Sequence, residues 1–306
     1  MLYGNILQQQ VERHHTMNQN SKSNNKMINS CNDAWPEDPS RVRHILSLSG
    51  GKDSAALAVY LRDRVSDMEY IFHDTGKELP DTYEYLERLE GYLGTKIVKT
   101  TFGVTFDHLL RSKGGMIPSN HRRWCTDLMK LKPFEAYIGN DYCMNYVGIR
   151  ADEDRVGYIS HKPNIRPVFP FREDGIRYSD VQAILQDSGL GMPPYTEWGR
   201  SRSGCFFCFY QQKIEWVRLK RKYPDLYDQA KEYEKPNSIN GQIFYWSENE
   251  SLESLEKPER MAQIEENWIK AQERISKRRI NRSLAETIGG LSIEAEPRNG
   301  CLICQL

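Results

Sequence analysis

Ser49-Gly50-Gly51-Lys52-Asp53-Ser54 stands between a short apolar run, His44-Ile45-Leu46-Ser47-Leu48, and an alanine-rich segment, Asp53 to Leu61. The run before it suits a buried strand, and the segment after it carries strong helix formers. Asp53 or Ser54 can cap that helix by accepting from its free first-turn N–H groups. The six residues therefore read as a strand-to-helix turn, in which two glycines allow positive φ and the close approach of a ligand to the main chain. Unpaired N–H groups and the positive end of the helix dipole make such a turn a phosphate cradle, to which Lys52, Ser49 and Ser54 add donors. A Walker A loop is excluded: it needs Gly-x-x-x-x-Gly-Lys-Ser/Thr, and here Leu46 stands at the first glycine and Asp53 follows the lysine.

Outward from this turn, Tyr70-Ile71-Phe72-His73 reads as a second strand and leads into Asp74-Thr75-Gly76-Lys77-Glu78-Leu79-Pro80. Tyr83, Leu86, Leu89 and Leu93 then mark a helix with Pro80 near its first turn. Thr95 to Thr100 gives a third strand and Asn145 to Ile149 a fourth, with a further helix from about Ser179 to Gln186. Strands alternating with helices predict an α/β fold, a parallel sheet with helices on both faces and ligands at the C-terminal strand ends. A carboxylate at such an end, Asp74, suits Mg²⁺ beside a triphosphate or the ordering of the phosphate loop. Arg150, leaving the fourth strand, suits a phosphate through its planar fork, with an ion pair to Asp152 or Glu153 as the plain alternative.

The chain has 306 residues, enough for one large α/β domain with additions or for two small ones. Residues 1–40 are polar and aperiodic and read as a flexible extension, 41–198 as the nucleotide domain, and 199–306 as a mainly helical region with two Cys-x-x-Cys pairs. Formal net charge is +0, so nucleic-acid binding must come from local patches rather than a global field. Two such runs are present: the helix Lys213 to Lys222, with an apolar stripe and a basic face, and Lys277-Arg278-Arg279 with Arg282. No apolar stretch is long enough for a membrane helix and no signal-peptide core is evident, so a soluble, cytoplasmic protein with no membrane partner is expected. Seven cysteines, including the pairs Cys205/Cys208 and Cys301/Cys304, argue for metal or redox chemistry over a disulfide framework. The two pairs can form a Cys₄ zinc site, and an iron–sulfur cluster drawing on Cys125 competes with it; Cys143 reads as a core residue.

These motifs resemble the PP-loop ATP pyrophosphatases, whose signature is Ser-Gly-Gly-x-Asp-Ser. Asp74-Thr75-Gly76-Lys77-Glu78-Leu79-Pro80 resembles the second motif of the branch that contains the phosphoadenosine phosphosulfate (PAPS) reductases, and Gly148 to Arg155 a third element of it, with Arg155 one place early. The segment His121 to Pro133 is similar to a cluster-bearing stretch of that branch, with Cys125 in place of the first cysteine of a pair and Thr126 in place of the second. The resemblance implies a PP-loop fold, ATP and Mg²⁺ held by Ser49 to Ser54 and Asp74 to Glu78, and catalytic roles for Lys52, Asp53, Asp74 and Arg150. It favours a [4Fe–4S] cluster on Cys125, Cys205 and Cys208, with the fourth thiolate from Cys301 or Cys304 or an iron site left open for sulfide, and zinc as the alternative. The reductases attack with a C-terminal Glu-Cys-Gly-Leu-His segment, whereas this chain ends Cys301-Leu302-Ile303-Cys304-Gln305-Leu306. The implied activity is thus cleavage of ATP to AMP and pyrophosphate for sulfur insertion into nucleic acid. DNA phosphorothioation of the Dnd and Ssp type stands first, and a PAPS or APS reductase or a tRNA thiolase stands as the alternative. The implied partners are DNA, a cysteine desulfurase as sulfur donor and other modification-system proteins; a homo-oligomer is compatible with this reading.

Overall fold

Each strand of the sheet is short, and what fixes its place is alternation: in β1 (Val42–Leu48), Ile45 packs into one hydrophobic layer while Leu46 and Leu48 pack into the other. The computed structural model describes residues 35–36, 38–155, 157, 160–236, 241–247 and 249–280. From Pro36 onward these belong to one unit. β1 pairs in parallel with β2 (Met68–His73) on one side and β4 (Tyr142–Tyr146) on the other, so that Leu46 lies opposite both Tyr70 and Tyr146. β3 (Ile97–Thr100) extends the sheet beyond β2 and β5 (Ile165–Val168) beyond β4, giving the order β3-β2-β1-β4-β5, all parallel.

The chain builds outward from β1 to β3, then returns to the opposite side of β1 for β4. That reversal leaves a crevice at the C-terminal ends of β1 and β4, the switch point where open α/β sheets receive ligands. Helices α1 (Lys52–Leu61) and α2 (Pro80–Leu93) supply Ala55, Leu57, Tyr85 and Leu89 to one face of the sheet. α3 (Phe106–Ser112) packs instead into a third apolar layer outside the sheet. On the sheet's other face, a helical stretch runs from Trp124–Thr126 through a π-helical segment, Asp127–Leu131, into α4 (Lys132–Ile138), and places Phe134 and Ile138 against Ile45, Ile71 and Cys143. α5 (Pro170–Glu173) and α6 (Tyr178–Asp187) return to the first face. The α/β expectation with helices on both faces therefore holds.

The C-terminal region is helical as expected: α7 (Lys213–Lys222), α8 (Pro224–Glu232), α9 (Leu252–Leu255) and α10 (Pro258–Ile280). Its layer is aromatic, built on Phe206, Phe207, Trp216, Tyr227 and Trp246, and takes in Phe106 and Trp124 from the sheet half. Phe207 stacks on Trp246 with centroids 4.8 Å apart, and Phe106 lies 4.5 Å from Phe207. No helix among the described residues is long and apolar enough to cross a membrane.

Three details differ from the sequence reading. The fourth strand is Tyr142–Tyr146 rather than Asn145 to Ile149, which leaves Gly148 and Arg150 in the loop beyond it. The fifth strand was not expected, because Pro167 interrupts its run; at the sheet edge a missing N–H costs no ladder bond. Neither Asp53 nor Ser54 caps α1: the cap position is Gly51, and the Ser54 hydroxyl donates back to its carbonyl at 3.1 Å.

Gly148 makes the tight contact between the loop after β4 and the start of α1, since a Cβ there would lie 2.9 Å from the Asp53 carbonyl oxygen. Gly148→Ala is expected to cost about 1–3 kcal/mol by overpacking, read as a lower urea midpoint. Gly91, inside α2 with nothing near an added Cβ, gives the opposite outcome. Gly91→Ala is expected to raise stability by roughly 0.5–1 kcal/mol through helix propensity.

Candidate active site

β1 ends at Leu48, and the backbone turns into α1 through Gly50 at φ +69°. A Cβ on Gly50 would meet the Thr82 methyl at 2.4 Å, and one on Gly51 would meet the Ser203 hydroxyl at 2.8 Å, so both positions need glycine for space. Ser49 and Ser54 tie the turn to itself: the Ser49 N–H donates to Ser54 Oγ at 3.2 Å, and the two hydroxyls are 3.1 Å apart. The strand-to-helix turn expected from the sequence is therefore formed, at the crevice between β1 and β4.

Its charges are organised by one buried cluster. Asp53 Oδ1 accepts from Arg150 Nη1 at 2.7 Å, and Lys52 Nζ lies 3.6 Å from the other Asp53 oxygen. Arg150 also donates to Asp152 at 2.9 Å and lies 3.2 Å from Glu153, which in turn pairs with Arg155. Arg150 thus combines the expected position at a strand end with the ion pairs that were its plain alternative, and it is buried rather than on the surface. Burial alone would raise the Asp53 pKa, but Lys52 and Arg150 outweigh it and hold the carboxyl below its ordinary value. Burial pushes Glu153 the other way, upward, with the Asp53 charge adding to the effect. The Tyr178 ring lies beneath both cations, 5.6 Å from Lys52 Nζ and 5.3 Å from Arg150 Cζ.

A segment from the C-terminal half closes over the turn. The Tyr195 hydroxyl accepts the Lys52 backbone N–H at 3.2 Å, the Ser201 carbonyl accepts Lys52 Nζ at 3.3 Å, and Ser203 Oγ lies 3.3 Å from Ser49 Oγ. Ser201 is itself held by Glu215 of α7, through both its N–H and its hydroxyl. Tyr178, Tyr195, Ser201 and Ser203 escaped the sequence reading, since each reaches the cradle across more than a hundred residues. The run Arg200-Ser201-Arg202-Ser203, hydroxyls and cations between glycines, was the one available signal.

At the neighbouring strand end, Asp74 Oδ1 accepts the Gly76 N–H at 2.8 Å and the Tyr83 hydroxyl at 2.7 Å, which sets the loop after β2. Thr75 donates to Glu78 at 3.0 Å, and Cys205 Sγ lies 3.2 Å from Thr75 Oγ1 and 3.7 Å from Glu78 Oε1. Backbone pairing completes the contact: Glu78 and Cys205 form an antiparallel bridge, and the Phe206 N–H donates to the Lys77 carbonyl at 2.9 Å. Glu78, expected beside the nucleotide, thus faces the cysteine. Burial, followed by the Glu78 charge, pushes the Cys205 thiol well up, against Lys130 and Thr75, which act in the opposite sense.

The Cys205-x-x-Cys208 knuckle is a turn closed by the Cys208 N–H on the Cys205 carbonyl at 3.0 Å. Arg200, buried, donates Nη2 to the Gly204 and Cys205 carbonyls at 3.2 and 2.7 Å and braces it from behind. Cys125 packs against the same apolar layer as Cys205, and Thr126 is buried. Among the described residues, no three His, Cys, Asp or Glu side chains converge as a metal-binding group. Cys301 and Cys304 lie outside the described residues, so the described thiols do not by themselves complete a cluster or zinc site. Cys143 is fully buried in β4, a core residue as expected. His73, beside this loop, is buried and bonds Thr100 Oγ1 at 2.6 Å; burial, with Lys130 nearby, lowers its pKa to about 3 and keeps it neutral.

Several cations of α7 have partners within the protein. Lys213 pairs with Glu250, Lys220 with Asp228 and Glu256, and Arg221 with Glu265, while Arg218 donates to the Gly199 carbonyl and lies over Trp268. Of the second basic run, Lys277 ends the described side chains of α10 and Arg282 lies outside the described residues.

Residues 43–166, which hold the cradle, the Asp74 loop and Arg150, match the family model of the phosphoadenosine phosphosulfate reductase domain. Two uncharacterized proteins of Methanocaldococcus jannaschii are similar to the chain. One is 30% identical over 224 residues, covering 65% of this chain and 44% of its own length. The other is 28% identical over 193 residues, covering 60% and 45%. The chain thus spans less than half the length of these two relatives. An uncharacterized 37.8 kDa protein of Escherichia phage 186 is 24% identical over 256 residues, covering 63% of this chain and 74% of its own. Among solved structures, the PAPS reductase of Candida auris in its phosphate complex superposes with a TM-score of 0.44 at 14% identity, over 56% of this chain and 82% of that one. The matched residues are those that build β1 to β4, the turn into α1 and the loops after β2 and β4.

Proposed function

We propose that the protein is an ATP pyrophosphatase that activates a phosphate of a nucleic-acid backbone for sulfur insertion, with DNA phosphorothioation as the preferred case. The observation that supports this reading is the placement of Cys205: its thiol lies 3.2 Å from Thr75 Oγ1 and its backbone bridges Glu78, in the loop at the strand end next to the turn into α1.

The substrate triphosphate would lie across Gly50, Gly51 and the first turn of α1, with the backbone N–H groups and Lys52 on its pyrophosphate end. A backbone phosphate oxygen of the acceptor attacks the α-phosphorus; the bond to the β-phosphate oxygen breaks and pyrophosphate leaves with the electron pair. Hydrosulfide, released by a thiol reductant from a donor cysteine persulfide, then attacks the activated acceptor phosphorus and AMP departs. Asp53 and Arg150 do not react: their ion pair orients Lys52 and keeps the start of α1 rigid. Mg²⁺ fits the Asp74 carboxylate, which is partly exposed at the strand end and accepts from the Gly76 N–H and the Tyr83 hydroxyl; when bound it would supply charge for the leaving pyrophosphate. No step is assigned to an iron–sulfur cluster, since the described thiols do not complete its ligand set.

The second reading is a sulfonucleotide reductase, favoured by the name of the matching family model. Under it, a thiol of this chain attacks the sulfur of PAPS and sulfite is released after reduction. Protein purified without oxygen, given ATP, Mg²⁺, DNA and a persulfide donor, is expected to release pyrophosphate and to incorporate sulfur into DNA. Lys52→Ala is expected to lower release by about 10²–10³-fold, the magnitude of one lost electrostatic donor. Sulfite release from PAPS with a thiol reductant, and no pyrophosphate from ATP, would establish the reductase instead. A separate outcome concerns the loop: Thr75→Val, which removes the hydroxyl shared by Glu78 and Cys205, is expected to lower sulfur incorporation more than it lowers pyrophosphate release.

A further inference from the structure

Residues 108–126 contain no Asp or Glu, yet carry Arg111, Lys113, Arg122 and Arg123 with His108 and His121, in a chain whose formal net charge is +0. The fold gathers these cations rather than scattering them. α3 buries Phe106, Leu109 and Leu110 and leaves His108 and Arg111 exposed. Beyond it, Gly114 and Gly115, at φ +65° and +75°, fold the chain back, and the Gly115 N–H donates to the Leu110 carbonyl at 2.9 Å. Ser119 and Arg122 close a second turn by reciprocal backbone bonds of 3.2 and 3.0 Å, braced by Arg123 on the Asn120 carbonyl at 3.1 Å. Side chains join the two turns: Arg122 Nη1 lies 2.9 Å from Met116 Sδ, Trp124 donates to the Met116 carbonyl at 3.0 Å, and Lys113 Nζ lies 5.8 Å from the centre of the Trp124 ring. Trp124 stacked on Phe106 at 5.1 Å then ties both turns to α3.

Among the described residues no Asp or Glu forms an ion pair with Arg111, Lys113 or Arg122. The acids that bracket the stretch have other partners. Asp107 is held by Lys77 at 2.7 Å and by the Tyr233 hydroxyl at 2.6 Å, with Arg111 only a more distant charge, and Asp127 lies 3.7 Å from Lys132. This separates the surface from α7, where Lys213, Lys220 and Arg221 each have a carboxylate. Neighbouring cations of one sign repel, and a polyanion laid across them relieves that repulsion. A protein-binding patch needs an apolar centre, but here Ile117, Pro118 and Trp124 are buried. Position points the same way. Cys125 follows the second turn and packs in the same apolar layer as Cys205, and Phe106 reaches Phe207 of the knuckle at 4.5 Å.

We propose that Arg111, Lys113 and Arg122, flanked by His108 and His121, form the surface on which the phosphate backbone of the nucleic-acid acceptor docks. This rests on the nucleic-acid reading above. The contacts are charge on phosphate, so they hold the strand in place without reading its sequence.

Binding of a fluorescent single-stranded oligonucleotide, and of polyglutamate as an acidic-polypeptide probe, is measured over a range of salt. The proteins are the full chain, the triple variant Arg111→Gln/Lys113→Gln/Arg122→Gln and the control Lys96→Gln/Lys235→Gln, which alters exposed lysines elsewhere. Thermal melting with and without ATP reports that each is folded and still takes the nucleotide. The triple variant is expected to bind DNA about tenfold or more weakly, with a salt slope smaller by roughly 2 to 3, and the control to match the parent. It is also expected to need more DNA for half-maximal pyrophosphate release while reaching the same maximum. Unchanged DNA affinity and salt slope in the folded triple variant, while the parent releases pyrophosphate with DNA, would overturn the surface and leave the pyrophosphatase reading standing. An equal loss of polyglutamate binding would overturn the nucleic-acid assignment in favour of an acidic protein partner. A parent that neither binds DNA nor releases pyrophosphate with it would overturn both claims together.

Discussion

The buried ion pair between Asp53 and Arg150 is the constraint on which the crevice depends. It joins the first turn of α1 to the loop after β4, the two elements that the strand order forces apart at the switch point. A buried pair is weak evidence for stability in itself, because desolvation offsets much of the attraction. Its value lies in what it fixes. With one Asp53 oxygen on Arg150 and the other near Lys52, the lysine is held inside the cradle and not left free in solvent. Glu153 and Arg155 extend the cluster, burial raising the Glu153 pKa while Lys52 and Arg150 outweigh burial at Asp53 and lower it.

From that pair the site grows in two directions. Toward the C-terminal half, Tyr195, Ser201 and Ser203 close over the turn, so it is completed by residues far along the chain. Toward β2, the Asp74 loop receives the Cys205 knuckle as though it were an added strand residue. Anything that changes the state of Cys205 therefore bears directly on the loop next to the cradle. The raised thiol pKa means that thiolate at this position calls for a positive partner, which Lys130 supplies in part.

How much of this was legible in the sequence depends on range. The cradle was readable because its six residues and its flanking strand and helix are contiguous. Arg150 was readable because it leaves a strand, even though that strand ends earlier than its apolar run suggested. The cap of α1 was misassigned because Asp53 is drawn to Arg150 and Ser54 to the Gly51 carbonyl, partners no local rule supplies. β5 was missed because Pro167 suppresses the strand signal, and its edge position is a tertiary fact. The charged face of α7 was legible as such, but not its pairing with Glu250, Asp228, Glu256 and Glu265, partners that no reading of the helix alone supplies.

The central claim is that this crevice breaks ATP between its α- and β-phosphates. Phosphorus NMR of ATP incubated with the anaerobically prepared protein, Mg²⁺ and single-stranded DNA tests it most directly. The account predicts that AMP and pyrophosphate appear in equal amounts as ATP is consumed; ADP and inorganic phosphate as the products would contradict it.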